Sequence, residues 1–274
     1  MARRPFQAAS SRTQGSPWTW AGAGALAGLV MTLILQAPAA WFAAAIGEAS
    51  SGKVTLLEAR GTVWTGSARL QFSGGAGSSD RSILPDRINW SIRPAINGMG
   101  IRVGADCCTS QPLDLQVVPG WGRVALAVQD PAAAAPQRSV WPAAMLAGLG
   151  TPWNTLQIEG QLSLLTQGLS VEWNAGRVLV AGRAELLATD VSSRLSTIKP
   201  MGSYRITLVG GNTATLEVST IEGSLQLAGS GRWVGSRLRF EGMASATPEH
   251  EAALANLLNI IGRRSGPRSL INVG

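Results

Sequence analysis

From Val54 onward, apolar and polar residues alternate with a period of two, the pattern of strands with one face buried and one in water. Ala68, Leu70 and Phe72 point one way, and Arg69 and Gln71 the other. Ile88, Trp90 and Ile92 repeat this around Asn89 and Ser91, and Leu113, Leu115 and Val117 around Asp114 and Gln116. Val124, Leu126 and Val128 follow, with alanines between them. The spacers are turn-rich: residues 73–80 carry Gly, Ser and Asp with little to pack, which predicts a loop. Strands recurring about every ten residues predict an antiparallel all-β architecture, as a sheet, a sandwich or an open barrel. Residues 158–183 and 221–242 both open Ile-Glu-Gly, run through an alternating strand to a Trp, then turn at Gly into another strand. Each copy reads as a hairpin that must stack beside the next to bury its apolar face. Asp130-Pro131 and the alanines to Pro136 mark an expected division between a first β lobe, residues 48–135, and a second, residues 136–274. Val140 to Leu149 predicts a short helix.

The period changes near the C-terminus. Leu254, Leu257, Leu258 and Ile261 lie at helical spacing on one face. Thr247 is a candidate cap, Pro248 suits the first turn, and Glu249 and Glu251 favour the N-terminal end. Gly262 is a candidate stop, with Arg263 and Arg264 complementing the C-terminal end. This helix is expected to cover a sheet face, and residues 269–273 to form a final strand.

The N-terminus has no alternation at all. No charge occurs between Arg12 and Glu48, and the stretch 18–41 is apolar, with Trp18, Trp20 and Trp41 at its ends. About 20 apolar residues suffice to cross a bilayer core. Residues 1–17 carry Arg3, Arg4 and Arg12 with no acid, so the positive-inside rule keeps this tail in the cytoplasm and sends the rest across. A cleaved signal peptide is the competing reading, with small residues at Ala37 to Ala40 as its cleavage region. Retention is favoured by the length of the run and by Trp41-Phe42 after it. Gly24 and Gly28 form a GxxxG pair, a candidate face for helix dimerisation, against the plainer reading that small residues fill an apolar segment. Gly47 to Lys53 reads as a linker.

Composition then narrows the function. The chain has 274 residues and a formal charge of +7. Setting aside the three leading Arg leaves 20 basic against 16 acidic residues, interspersed and without the basic, aromatic-lined stripe that a nucleic-acid surface needs. The two cysteines, Cys107 and Cys108, are adjacent and lack the spacing and His partners of a metal site. Two reduced, partly buried residues, a vicinal ring or an intermolecular disulfide all remain open, oxidation being possible in an exported domain. His250 is the only histidine and falls in the first turn of the last helix. No nucleophile or carboxylate constellation accompanies it, so it reads as a solvated or capping residue, and the chain as no enzyme. No cofactor or metal is expected.

The chain resembles the type II secretion system protein N family. The resemblance rests on an N-terminal anchor followed by a series of short motifs in order. These are Gly61-Thr-Val-Trp64-Thr-Gly66-Ser-Ala, Ile88-Asn-Trp90-Ser-Ile-Arg93-Pro94 and Leu149-Gly-Thr-Pro-Trp153-Asn-Thr155-Leu. Then come Arg194-Leu-Ser-Thr-Ile198 with Pro200-Met-Gly-Ser-Tyr204-Arg, Thr220 to Gly231, and Leu257-Leu-Asn-Ile-Ile261-Gly-Arg-Arg264. The resemblance covers nearly everything after residue 18. It implies a single-pass inner-membrane accessory of the machine that exports folded proteins across the outer membrane of a Gram-negative-type cell. The C-terminal part would be periplasmic, and other components of that machine its partners. The family fold is similar to strand-rich, groove-forming AsmA-like proteins. Three functions are weighed: a structural secretion component contacting partners by strand addition, a periplasmic lipid-handling protein with an apolar groove, and a hydrolase built on His250. The last has least support.

Overall fold

The structure is a computed structural model that describes residues 17–75, 77–130, 138–174, 177–235 and 237–274. It divides into two compact units, residues 1–37 and 38–274. In the first, helix α1 (Pro17–Leu35) is apolar on every side. Trp18–Leu35 is long and apolar enough to cross a membrane by length and composition. The Thr32 hydroxyl turns inward to the Gly28 carbonyl at 2.8 Å, so the span exposes no unpaired hydroxyl there. The helix does not run on to Trp41 as the sequence suggests. Pro38 has no N–H to donate and disfavours helical backbone at the residue before it, so a new helix starts beyond it. That helix, α2 (Ala39–Ala49), takes up part of the segment expected to be a linker.

The second unit is one large antiparallel sheet flanked by helices. Its first strands are β1 (Val54–Gly61), β2 (Thr65–Ser73), β3 (Arg81–Ala95), β4 (Gly98–Ala105), β5 (Leu113–Gly120), β6 (Arg123–Gln129) and β7 (Arg138–Pro142). A 3-10 helix at Ala143–Leu149 and the single turn α3 (Trp153–Leu156) follow. Next come β8 (Ile158–Asn174), β9 (Arg177–Ser193), β10 (Gly202–Val209), β11 (Thr215–Gly223), β12 (Leu225–Val234) and β13 (Arg237–Ala246). Helix α4 (Glu251–Ile261), β14 (Arg263–Ser265) and β15 (Arg268–Val273) end the chain. The strand order is β1-β2-β3-β4-β5-β6-β8-β9-β10-β11-β12-β13-β15-β14, with β7 paired to β8 beside that path. The sheet stays open. The division expected near residues 130–136 lies mostly outside the described residues, and β6 and β8 on either side of it pair directly, so the two expected lobes share one sheet. The two Ile-Glu-Gly copies end in equivalent hairpins: Trp173 faces Val178 near the β8–β9 apex, and Trp233 faces Leu238 near the β12–β13 apex.

The sheet is curved. The 3-10 helix touches β2, β3 and β8, which are five strand spacings apart at the extremes. At about 4.8 Å per spacing a flat sheet would put β2 and β8 about 24 Å apart, more than this short helix can bridge. The sheet therefore bends around it, and the bend defines an inner face. Leu162, Ala188, Tyr204, Leu225 and Ala244 on that face pack with Ala143 of the 3-10 helix and with Leu254, Leu257 and Leu258 of α4. A second cluster joins Ala39 and Phe42 of α2 to Leu56, Ala68, Trp90 and Ile92.

The C-terminal helix matches its expected span, but its ends differ. Thr247 makes no side-chain bond to the backbone; its hydroxyl sits 3.0 Å from His250 Nδ1, and Pro248–His250 forms a 3-10 turn before α4. Gly262 leaves the helix in extended backbone, and Arg263 and Arg264 belong to β14 rather than to a helix end. Arg264 instead reaches Glu251 in the first turn of α4 at 3.4 Å.

Tyr204, the only tyrosine in the chain, sits in the main core and donates its hydroxyl to the Leu225 carbonyl at 3.1 Å. Burial pushes its pKa above the usual 10. A folded pKa raised above the unfolded one leaves stability whole below about pH 10 and erodes it as pH rises further, because the unfolded chain ionises first. Tyr204→Phe is expected to cost about 1 kcal/mol at neutral pH through the lost hydrogen bond and to flatten this alkaline loss. Urea midpoints across the alkaline range, with tyrosinate absorbance beside them, test both parts. An unchanged alkaline slope in the variant refutes the assignment.

Candidate binding face

The inner face is apolar beyond the reach of the helices. Met99, Val117, Leu126, Val171 and Val180 stand opposite one another in a single row across β4, β5, β6, β8 and β9. The helices pack elsewhere: α2 against β1 and β2, the 3-10 helix against β2, β3 and β8, and α4 against β13 to β15. The row is only half-buried. A second row nearer the hairpin apices, Val124, Trp173 and Val178, is exposed. The backbone groups here are engaged in the strand ladders, so the surface offers an occupant contact area and almost no hydrogen bonding.

The outer face is polar and carries cross-strand ion pairs. Arg102 grips Asp114 through two bonds, 2.7 and 3.0 Å, and Gln129 donates to Gln116 at 2.9 Å beside it. The hydrogen bond to Asp114, then its charge, raises the pKa of the Arg102 guanidinium. Glu185 bridges Arg205 at 3.0 Å and Arg183 at 3.6 Å. Each pair lies in the open, where ion pairs add little stability. Their effect is to fix which side of the sheet faces water.

The residues singled out from the sequence are spread over the molecule. His250 meets the Thr247 hydroxyl at 3.0 Å. Among the described residues no three His, Cys, Asp or Glu side chains gather as metal ligands. Cys107 and Cys108 occupy the loop between β4 and β5, with their sulfurs bonded to each other and their Cα atoms 3.7 Å apart. Cys107 is exposed, while Cys108 packs with Leu84 and Ala105 and accepts a backbone bond from Val140 of β7 at 2.8 Å. Gly24 and Gly28 lie one turn apart on α1, and a Cβ at either would meet nothing within 4 Å. Trp64, Trp90, Trp173 and Trp233 do not share one environment: Trp90 is buried under α2, whereas Trp173 stands exposed near its hairpin apex.

Sequence reasoning passed over Ile96 and Trp121. They sit at the apices of the β3–β4 and β5–β6 hairpins and are fully exposed, 103 % and 104 %. The signal was present: each is a large apolar residue between two alternating runs, Trp121 between Gly120 and Gly122, where turn chemistry calls for Gly, Asn or Asp.

Comparison with known proteins adds one finding. The family model for type II secretion system (T2SS) protein N matches residues 52–270, most of the curved sheet and α4. No curated protein and no solved structure matches the chain significantly.

Proposed function

The chain belongs to the type II secretion system protein N family, and from that premise we propose that it is a membrane-anchored periplasmic component of the type II secretion machinery. The family is one of secretion-machinery components rather than enzymes. The observation that carries the reading is the match over 52–270, preceded by the apolar span Trp18–Leu35. In this reading α1 crosses the inner membrane with Arg3, Arg4 and Arg12 on the cytoplasmic side. Gly24 and Gly28 then give two such spans a face for close approach, and an oxidising periplasm keeps the Cys107–Cys108 ring closed.

Contact with other components falls to the sheet edges. At the first edge, β1 is interrupted by a bulge between Leu57 and Arg60, with Glu58 in left-handed backbone, which discourages further pairing. At the other edge β14 pairs only with residues 268–270 of β15, leaving Ile271 to Val273 as an uncovered strand end. That end suits strand addition by a partner.

Deleting the gene and assaying exported proteins in medium, periplasm and cytoplasm tests the reading. The expected result is accumulation in the periplasm, reversed by a plasmid copy. Unchanged export refutes it and moves weight to the second reading, a lipid-handling protein. The half-buried apolar row from Met99 to Val180 favours that alternative. Phospholipid co-purifying with the protein, absent from a Val117→Glu, Val171→Glu variant that still folds, is its expected signature.

A further inference from the structure

The apices of the first two long hairpins carry side chains that the fold does not need. Residues 93–97 are all exposed and include Arg93, Pro94 and Ile96; residues 119–124 are all exposed and include Pro119, Trp121, Arg123 and Val124. Neither stretch contains an acid. Among the described residues, the charged partner of Arg123 is Glu172, at a loose 3.8 Å. A tryptophan and an isoleucine held in water at full exposure, on rigid paired strands, contribute nothing to the core.

The place where the chain enters this unit lies on the same side of the sheet. Pro38, its first residue, bridges Thr62 in the β1–β2 turn. Thr65 pairs with Ser91, so that turn lies at the end of β3 that leads to the Ile96 apex. Val117 pairs with Met99, which puts the Trp121 apex at the same end. Ile96 stands five residues beyond Ser91, about 17 Å further along the strand direction. Only Gln36 and Ala37 separate α1 from Pro38.

We propose that the β3–β4 and β5–β6 hairpin apices are a membrane-contact edge, with Ile96 and Trp121 entering the interface of an anionic phospholipid bilayer and Arg93 and Arg123 meeting its headgroups. The proposal rests on the reading of α1 as a membrane span. Such a span starts the bilayer within a few residues of the rim that bears both apices. Indole is the side chain most at home at a bilayer interface, apolar in body with one polar N–H. Arginine on either hairpin supplies the matching charge for acidic headgroups. The contact adds a second attachment beside the single helix and restricts how the sheet turns above the membrane.

Photocrosslinking with the full chain tests this. p-Benzoylphenylalanine is placed in turn at Ile96, Trp121, Glu222 or Leu29, and each protein is reconstituted in vesicles of phosphatidylethanolamine and phosphatidylglycerol. Glu222 is exposed and lies at the opposite end of the strands. Lipid adducts at 96 and 121 are expected at least about fivefold above position 222, and Arg93→Glu is expected to lower the yield at 96 severalfold. Adducts at 29 with none above background at 96 and 121 overturn the proposal while leaving the membrane span standing. No adduct at 29 removes the span, and the proposal with it. Adducts joining two copies of the chain make the apices a self-association face and also overturn it.

Discussion

Trp90→Ala is expected to cost about 3–5 kcal/mol of stability and to loosen α2 from the sheet. Trp90 is 4 % exposed. Its indole N–H donates to the Val63 carbonyl at 3.0 Å, and its ring lies 5.2 Å from that of Phe42 on α2. The ring fills a slot shaped for it: a Cβ on Gly66 of β2 would stand 2.5 Å from the indole. Truncation therefore leaves a cavity, an unpaired carbonyl and a helix without its main aromatic contact. An 11-residue helix does not hold its shape alone in water, so α2 depends on this packing. Urea unfolding in detergent measures the first effect, and protease cleavage between residues 38 and 53 the second. Trp90→Phe keeps most of the ring and is expected to lose about 1–2 kcal/mol, chiefly the hydrogen bond. A loss under about 1 kcal/mol for Trp90→Ala refutes the role given to this contact.

Gly182→Ala is expected to be strongly destabilising. β8 and β9 form the longest pair, 17 residues each, and the pairing shifts register between Gln167 and Ser170. Gly182 faces that bulge with φ +82°, and an added Cβ would collide with the Gly168 carbonyl. Left-handed backbone alone costs an L-residue about 1–2 kcal/mol. The collision is with the backbone of Gln167 and Gly168, which cannot yield as a side chain does. Gly168, across the bulge, also has positive φ, +56°, but nothing lies within 4 Å of its added Cβ. Gly168→Ala should then show the backbone cost alone, and Gly182→Ala clearly more. Equal urea midpoints for the two variants contradict the argument.

Much of this architecture was legible in the alternation. The period of two found strands at residues 68–72, 88–92, 113–117 and 124–128, because a half-buried strand places every second residue toward the core; in β2 the rule slips, with Gln71 buried and Phe72 half-buried. The helical spacing of Leu254, Leu257 and Leu258 found α4 for the same reason. Pairing partners were not legible. Alternation says which way a residue faces and nothing about what lies beside it, so the run of alanines near residue 132 suggested a division between lobes where β6 and β8 in fact pair. The role of Thr247 was misread because its hydroxyl has two kinds of partner in reach, a first-turn backbone N–H and the His250 ring, and local sequence does not rank them. Ile96 and Trp121 were hidden by the same logic that found the core: a search for buried apolar residues has no place for an exposed one at an apex.

The strand order has a consequence for how the protein is made. From β2 onward, each strand but two has a partner already laid down before it; the five-residue β7 waits for β8 and the three-residue β14 for β15. A sheet whose strands appear in this order can fold as the chain is made, adding hairpins to a growing edge. Contacts close over short loops, so assembly is quick for a sheet of this size. Each new hairpin covers the edge left by the one before it, which shortens the time any one strand stays open to aggregation.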